Sequence, residues 1–168
     1  MPDDVEGFGE PENLEVPPPF FPKELSGEGR EPVSYGELVD VAIRGVYSFH
    51  NGSDTSHFVL LSDGRRELHI MIGPFEAQSI SLALEGSRPD RPLSHDLIKA
   101  ILDRMGLEVD RIVIDDLWNA IYYAKIYVRR GKVEAEIDSR PSDAIALAVR
   151  CEAPIYVAEG LLELSSEG

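Results

Sequence analysis

Residues 138–149 constrain the fold more tightly than any other part of this sequence. Pro141 has no amide hydrogen and a φ angle fixed near the helical value, so we expect it at the first position of a helix, with Arg140 as the N-cap. The helix that follows carries small residues that let it lie close to a neighbouring sheet: Ala144, Ala146 and Ala148. Because the free amides and the dipole at its start favour an anion, we place the candidate functional site there.

The composition predicts one acidic globular domain in a reducing compartment. With 168 residues and 43% hydrophobic content, the chain can bury roughly two-thirds of its unfolded surface. Its net charge of −15 disfavours nonspecific nucleic-acid binding, because phosphate contacts come from Lys and Arg. Cys151 is the single cysteine, so we expect no intrachain disulfide and no thiolate metal cluster. Without a signal-peptide pattern or an apolar run of membrane-spanning length, we expect a cytoplasmic protein that makes no membrane contact.

A change in composition near residue 33 predicts three parts. The first 32 residues hold seven of the 12 prolines, and nine acidic residues against Lys23 and Arg30. We expect residues 1–33 to be a disordered acidic extension, residues 34–164 to form the globular domain, and residues 165–168 to be a tail. Within the extension, the PPPFFP segment either docks on a partner or on the domain itself, or serves as a linker.

The apolar periodicity from residue 38 onward predicts an α+β fold. In chain order, the pattern indicates strands at residues 39–43, 58–61 and 68–72, helices from 74 and 94, strands at 111–115 and 120–128, a helix from 141, a strand at 155–157 and a helical turn at 159–164. The first three strands form an antiparallel meander, and Ser94 is the expected N-cap of its helix. We therefore predict a mostly antiparallel or mixed sheet with inserted helices in a single compact domain.

A hairpin is predicted after the strand at residues 120–128. Arg130 and Gly131 have the character of a two-residue turn, which would place Val128 opposite Val133. This register matches apolar residues with apolar residues on one face and opposite charges on the other.

The most specific signature of the chain is formed by residues 139–148, SRPSDAIALA, and residues 153–157, APIYV. Together they resemble the bifunctional nuclease family, a bacterial domain of unknown function related to plant bifunctional nucleases. Supporting segments occur in the family's order: Ile72-Gly73, Glu76-Ala77, Ile80, residues 91–97 and Tyr122-Tyr123-Ala124. The resemblance covers about residues 39–163. It implies an α+β domain and, from plant members described as cutting both RNA and DNA, nuclease activity. It supplies no set of catalytic residues, and the long acidic extension departs from the family.

Three carboxylates are candidate ligands for a catalytic metal. A metal-dependent nuclease needs two or three carboxylates that converge on Mg²⁺ or Mn²⁺, together with a cation for the developing charge. Asp138, Asp143 and Glu76 could supply the carboxylates, and Arg140 the cation. Each also has a structural interpretation. Asp143 can stabilise its helix dipole, Asp138 can be an ordinary solvated residue, and Arg140 can form an ion pair with Asp143 or Glu76.

His95 is a further catalytic candidate, because it stands beside Asp96 and the pair could provide acid and base groups to a hydrolytic site. A structural role at the start of a helix is the alternative. Ser139 and Ser142 flank the helix start and are candidate substrate-binding residues.

Basic residues cluster at the predicted hairpin tip and are candidate phosphate-binding residues: Arg129, Arg130 and Lys132. Their alternative role is solubility and protection of the sheet edge.

Two functional hypotheses follow. The first is a divalent-metal-assisted nuclease that hydrolyses phosphodiester bonds in RNA or DNA, so its partner is nucleic acid and its cofactor is Mg²⁺ or Mn²⁺. The second is a noncatalytic module that binds an anion or small ligand as an oligomeric scaffold or regulator, which could be a homo-oligomer. The sequence contains no Walker loop, Rossmann fingerprint, nucleophile elbow or HExxH motif, which argues against several common enzyme classes.

Overall fold

The structure is a computed structural model, and it describes residues 33–166 of the chain. In chain order the elements are β1 (Leu38–Asn51), β2 (Asp54–Ser62), β3 (Glu67–Ile72), α1 (Pro74–Leu84), α2 (Ser94–Arg104), β4 (Glu108–Trp118), β5 (Ile121–Arg130), β6 (Val133–Ser139), α3 (Pro141–Cys151), β7 (Ile155–Ala158) and α4 (Glu159–Ser166). The predictions for residues 1–32, including the PPPFFP segment, lie outside the described residues, as do residues 167 and 168 of the predicted tail.

The seven strands form one mixed sheet in the order β3-β2-β1-β7-β4-β5-β6. The β1-β2-β3 meander is antiparallel, as expected, and so is the β4-β5-β6 meander. The last strand, β7, enters between the two meanders, antiparallel to β1 and parallel to β4. The predicted α+β class is therefore confirmed.

One face of the sheet carries most of the buried apolar side chains and packs on the helices. Alternate strand residues point to this face, among them Ile112 and Ile114 of β4 and Val59 and Leu61 of β2, which are fully buried. Val113, between the two isoleucines, is buried on the other face. The central helix is α3, in which seven of 11 residues are buried. Its alanines lie within the core cluster formed with the strands, which fits the small-residue pattern of the sequence.

The hairpin between β5 and β6 differs from the predicted register. Val128 lies opposite Ala135 and not opposite Val133, which pairs with Arg130. The turn is formed by Gly131 and Lys132, with Gly131 in the left-handed region at φ 58°. Because the turn lies one residue later than expected, the register shifts by two. Side chains alternate with a period of two, so this shift leaves every residue on its predicted face.

Two of the three predicted helix starts are confirmed. Arg140 is the N-cap of α3 with Pro141 at the first position, and Gly73 precedes Pro74 of α1 in the same way. The expectation for Ser94 was wrong by one residue. Leu93 is the N-cap of α2, and its backbone amide donates to Asp96 Oδ2 at 2.8 Å. Asp96, at the third position of the helix, therefore makes the half of a capping box in which an acidic side chain accepts from the N-cap amide. Among residues 33–166, no helix is long and apolar enough to span a membrane.

Candidate active site

The first turns of α1, α2 and α3 surround a pocket, here called the three-helix pocket, with a volume of about 450 Å³. Glu76 and Ser79 of α1, His95 of α2, and Arg140 and Asp143 of α3 all line it. Since helix N-termini carry a partial positive charge, their convergence favours negative groups. Acidic residues lie in the first turn of each of these helices, which is where such charges are stabilised.

Arg140 links α3 to α1 across the pocket. Its Nε donates to Asp143 Oδ2 at 2.7 Å, and its Nη2 donates to Asp143 Oδ1 at 3.1 Å and to Glu76 Oε1 at 2.9 Å. The structural ion pairs expected as one alternative are therefore present. The guanidinium side chain nevertheless remains 66% exposed, so an incoming anion can reach it.

Glu76 depends on the glycine that precedes its helix. A Cβ atom at Gly73 would collide with the Glu76 carboxylate. Gly73 has an ordinary φ of −73°, so what the glycine provides here is space: a Cβ atom would require the Glu76 carboxylate to move. The carboxylate can then lie over the start of α1, within reach of Arg140.

His95 is buried, with only 8% of its surface exposed. Its Nε2 lies 3.0 Å from Asp143 Oδ1, and its Nδ1 lies 2.8 Å from Ser79 Oγ. The sequence had suggested a partnership with the adjacent Asp96, but that carboxylate binds Arg150 Nε at 2.6 Å. His95 therefore belongs with Asp143 and Ser79.

Asp143 is held as a carboxylate by its neighbours. Burial by itself raises the pKa of the Asp143 carboxyl, but hydrogen bonds from Arg140 and His95 outweigh burial and hold the pKa below its ordinary value. The pocket therefore presents a negative charge that persists as the pH falls.

The other predicted residues of this region are not gathered at the pocket. Asp138 lies opposite Lys125 in the sheet. The residues on either side of Lys125 in β5, Ala124 and Ile126, have side chains buried in the core cluster with α3. Because adjacent strand residues point to opposite faces, the side chains of Lys125 and Asp138 lie on the face of the sheet away from α3. Ser139 Oγ donates to the carbonyl of Arg140 at 3.0 Å. Ser142 is buried in the first turn of α3.

The basic hairpin tip is remote from the three-helix pocket. Lys132 precedes Arg140 by eight residues along β6, roughly 26 Å at about 3.3 Å per residue. Arg129 Nη1 binds Asp110 Oδ1 at 2.9 Å, and Arg130 Nη2 donates to the carbonyl of Met105 at 2.6 Å. The first two cations thus already have partners within the domain.

Within residues 33–166, no group of three or more His, Cys, Asp or Glu side chains is close enough together to hold a metal ion. Of the three predicted metal ligands, the structure brings Glu76 and Asp143 to the same guanidinium nitrogen and leaves Asp138 apart.

Sequence reasoning missed two residues of this cluster, Ser79 and Arg150. The spacing of each from a residue already chosen could have indicated it. Ser79 is three residues after Glu76, and Arg150 is seven residues after Asp143, so each lies on the same helix face as a residue already chosen.

Comparison with known proteins identifies the family. Residues 59–167, more than half of the sequence, match the family model of the bifunctional nuclease domain. The chain belongs to the bifunctional nuclease domain family. The resemblance seen in the sequence is thereby confirmed, and the side chains that line the three-helix pocket all lie within the matched residues.

Named relatives of this family occur in bacteria and plants. Two uncharacterized proteins of Mycobacterium tuberculosis, from strains CDC 1551 / Oshkosh and ATCC 25618 / H37Rv, are 39% identical over 101 residues, which is 60% of this chain and 60% of theirs. Bifunctional nuclease 1 of Oryza sativa subsp. indica is 35% identical over 104 residues, 59% of this chain and 31% of the rice protein. Bifunctional nuclease 2 of Arabidopsis thaliana is 31% identical over 112 residues, 64% of this chain and 34% of that protein. The alignments thus span less than two-thirds of these relatives.

Proposed function

We propose that this chain hydrolyses phosphodiester bonds of RNA or DNA in the three-helix pocket. The observation that carries the proposal is Arg140, an exposed guanidinium that joins two carboxylates where three helix N-termini meet. The plant relatives named bifunctional nucleases support the reaction class. The single cysteine of the chain favours the cytoplasm as its place of action.

Arg140 is the phosphate-binding group of this proposal. Its Nη1 has no hydrogen-bond acceptor among the described residues, since the observed contacts use Nε and Nη2. A guanidinium binds phosphate oxygens in a bidentate manner, and the helix N-termini add favourable potential. The pocket volume of about 450 Å³ lies within the range of small-molecule sites, so it suits one nucleotide unit.

The two carboxylates of the pocket, Glu76 and Asp143, have different roles. Asp143 accepts three hydrogen bonds from Arg140 and His95, so it is fixed and a poor proton acceptor. Glu76 accepts a hydrogen bond only from Arg140 among the described residues. Glu76 is therefore the group that orients the attacking water and takes its proton, while Arg140 stabilises the charge that develops on the phosphate.

The donor set suits a divalent cation bound by two carboxylates. Oxygens of Glu76 and Asp143 lie 2.9 and 3.1 Å from the same Arg140 nitrogen, so a movement of this exposed side chain would leave two carboxylates facing one space. Mg²⁺ commonly binds proteins through one or two carboxylates and completes its shell with water and phosphate oxygens. When bound, the ion would supply Lewis-acid polarisation of the phosphate.

The first test is cleavage of plasmid DNA and structured RNA by purified protein with Mg²⁺, with Mn²⁺ and with EDTA. We expect Arg140→Ala, Asp143→Asn and Glu76→Gln each to lower the cleavage rate by about 100-fold or more, because Arg140 and Glu76 act on the transition state and Asp143 holds Arg140 in place. Asp138→Asn is the matched control, since its side chain lies on the other face of the sheet, and it should cleave at the wild-type rate. Unchanged cleavage by the three pocket variants, or an equal loss in Asp138→Asn, would refute this site.

A noncatalytic anion-binding module is the second candidate function. It is favoured by the net charge of −15 and by the carboxylate partners that Arg140 already has. A thermal shift upon addition of inorganic phosphate or mononucleotides, combined with no cleavage under any metal condition, would support this function over the first.

A further inference from the structure

We propose that Ser79 and Arg150 are positioning residues that set the ring proton of His95 on Nε2, from which His95 holds the carboxylate of Asp143. The consequence for catalysis rests on the proposed phosphodiester hydrolysis. For a neutral ring, the position of the proton follows from the hydrogen bonds, because Nε2 faces the Asp143 carboxylate, which only accepts.

The argument begins at Arg150, whose side chain is only 7% exposed. Its Nε donates to Asp96 Oδ1 at 2.6 Å, its Nη1 donates to the carbonyl of Ala146 at 2.9 Å, and its Nη2 lies 3.1 Å from Ser79 Oγ. A guanidinium has donors and no acceptor. In the contact between Arg150 and Ser79, the hydroxyl oxygen must therefore accept.

Ser79 then has one hydrogen left to donate. The hydroxyl lies 2.8 Å from His95 Nδ1, and no other acceptor for it occurs among the hydrogen bonds of the described residues. If Ser79 donates to Nδ1, that nitrogen carries the lone pair of a neutral ring. Ser79 is itself only 4% exposed, so water does not compete readily for this hydrogen.

The ring proton is then on Nε2, which lies 3.0 Å from Asp143 Oδ1. All the bonds run in one direction, from Arg150 through Ser79 and His95 to Asp143. Because both ring nitrogens are occupied, His95 has no free nitrogen for a substrate. The expectation from sequence that His95 acts as a catalytic acid or base is thus replaced in this proposal by a role in fixing Asp143.

Nitrogen-15 NMR of the histidine rings in the full chain tests the proton position without any activity measurement. Near neutral pH, we expect wild-type His95 to carry its proton on Nε2 and to show an Nδ1 resonance shifted by an accepted hydrogen bond. In Ser79→Ala that resonance should move toward the value of an unbonded lone pair, whereas Ser79→Thr keeps the hydroxyl and should keep the shift. His50, whose Nδ1 lies 3.0 Å from Thr55 Oγ1, is the internal control.

A proton on Nδ1 of wild-type His95 would overturn the proposal, and so would an Nδ1 resonance that is the same in wild type and Ser79→Ala. The wild-type spectrum decides the proton position even if the alanine variant does not fold.

Kinetics test the consequence for catalysis. Loss of a positioning contact to an active-site group typically costs about 10- to 100-fold, so we expect Ser79→Ala to lower kcat by that factor. KM should stay within about twofold, because Arg140 still binds the phosphate. Ser79→Thr should restore most of kcat. An unchanged kcat in Ser79→Ala would refute the positioning role. Absence of cleavage by the wild type would instead refute the proposed function and leave the NMR result standing.

Discussion

Arg140 occupies a position that a short polar residue normally fills. Ser, Thr, Asp or Asn at an N-cap accepts a hydrogen bond from the helix, and an arginine cannot. Arg140 makes no side-chain cap bond, and Asp143 in the first turn supplies the negative charge that the helix dipole favours. The sequence predicted both this N-cap and the two carboxylates that it could bind. It could not predict that the guanidinium stays exposed, because exposure depends on what packs around the side chain.

Asp63 provides a prediction at the scale of one residue. Its carboxylate accepts hydrogen bonds from the amides of Arg66 and Arg65, at 2.7 and 2.8 Å, and from the side chain of Arg66. These contacts lower the pKa of Asp63 from 3.8 to about 2. A carboxylate whose pKa is lower in the folded state than in the unfolded state stabilises the protein at pH values above its unfolded-state pKa. This contribution is lost as the pH falls through the folded-state pKa. The contribution of Asp63 should therefore be complete above pH 4 and disappear between about 4 and 2.

Carbon-13 NMR titration of the Asp63 carboxyl should show its midpoint near pH 2. In urea unfolding, Asp63→Asn should be less stable than wild type at neutral pH, and the difference should shrink as the pH approaches 2. Asp90→Asn, in the exposed loop before α2, is the control and should differ little from wild type at either pH. A midpoint near 3.8 would show that these hydrogen bonds do not lower the pKa of Asp63.

Helix starts and strand faces are predictable because they depend on neighbours along the chain. The proline of α3 fixes its own φ angle. Successive side chains of β5 point to opposite faces of the sheet, whichever residues of the neighbouring strand they pair with. Register depends on finer detail. Both Arg130-Gly131 and Gly131-Lys132 contain the glycine that a two-residue turn favours, and the observed hairpin differs from the predicted one by that single residue.

The β4–β5 hairpin offers a prediction at the scale of an element. Asn119 and Ala120 connect the strands and both have positive φ angles, 49° and 62°. Asparagine tolerates the left-handed region, but alanine is strained there by about 1–2 kcal/mol. We expect Ala120→Gly to raise the free energy of unfolding by about 1 kcal/mol, since the relief of strain exceeds the added entropy of the unfolded chain. Chemical denaturation measures this change.

Gly131→Ala is the matched reverse variant, because Gly131 has φ 58° and open space around a Cβ atom. It should destabilise the protein by a similar amount. A loss of stability in Ala120→Gly would show that the alanine side chain makes contacts that outweigh its strain.

At the scale of the whole molecule, the three-helix pocket is assembled from distant parts of the chain. Glu76 and Arg140 are 64 residues apart, and His95 and Asp143 are 48 apart. Periodicity places each of these residues on its own element, but only packing of α1 and α2 beside α3 brings them together. This is why the sequence selected Glu76 and Asp143 correctly as neighbours of Arg140 and yet grouped them with Asp138, a nearer residue in the chain whose side chain faces the other side of the sheet.

The charge of the molecule predicts how salt affects nucleic-acid binding. The net charge is −15, and the three-helix pocket contributes one exposed guanidinium, so one or two phosphate contacts are expected. For single-stranded DNA, a plot of log affinity against log salt should then have a slope between about −0.7 and −1.4. Fluorescence anisotropy with a labelled oligonucleotide measures it. A slope of about −4 or steeper would indicate six or more contacts and a binding surface other than this pocket.

The α+β class, the family, the starts of α1 and α3 and the face on which each residue of β5 and β6 lies could all be predicted from the sequence. These features follow from proline stereochemistry, two-residue alternation and a local signature, all of which act between residues close in the chain. Which charged groups meet depends instead on how the helices pack. The burial of Ser79 and Arg150 beside His95, and the separation of Asp138 from Asp143, result from helices packing on one face of a twisted sheet, where distance in space is unrelated to distance in sequence.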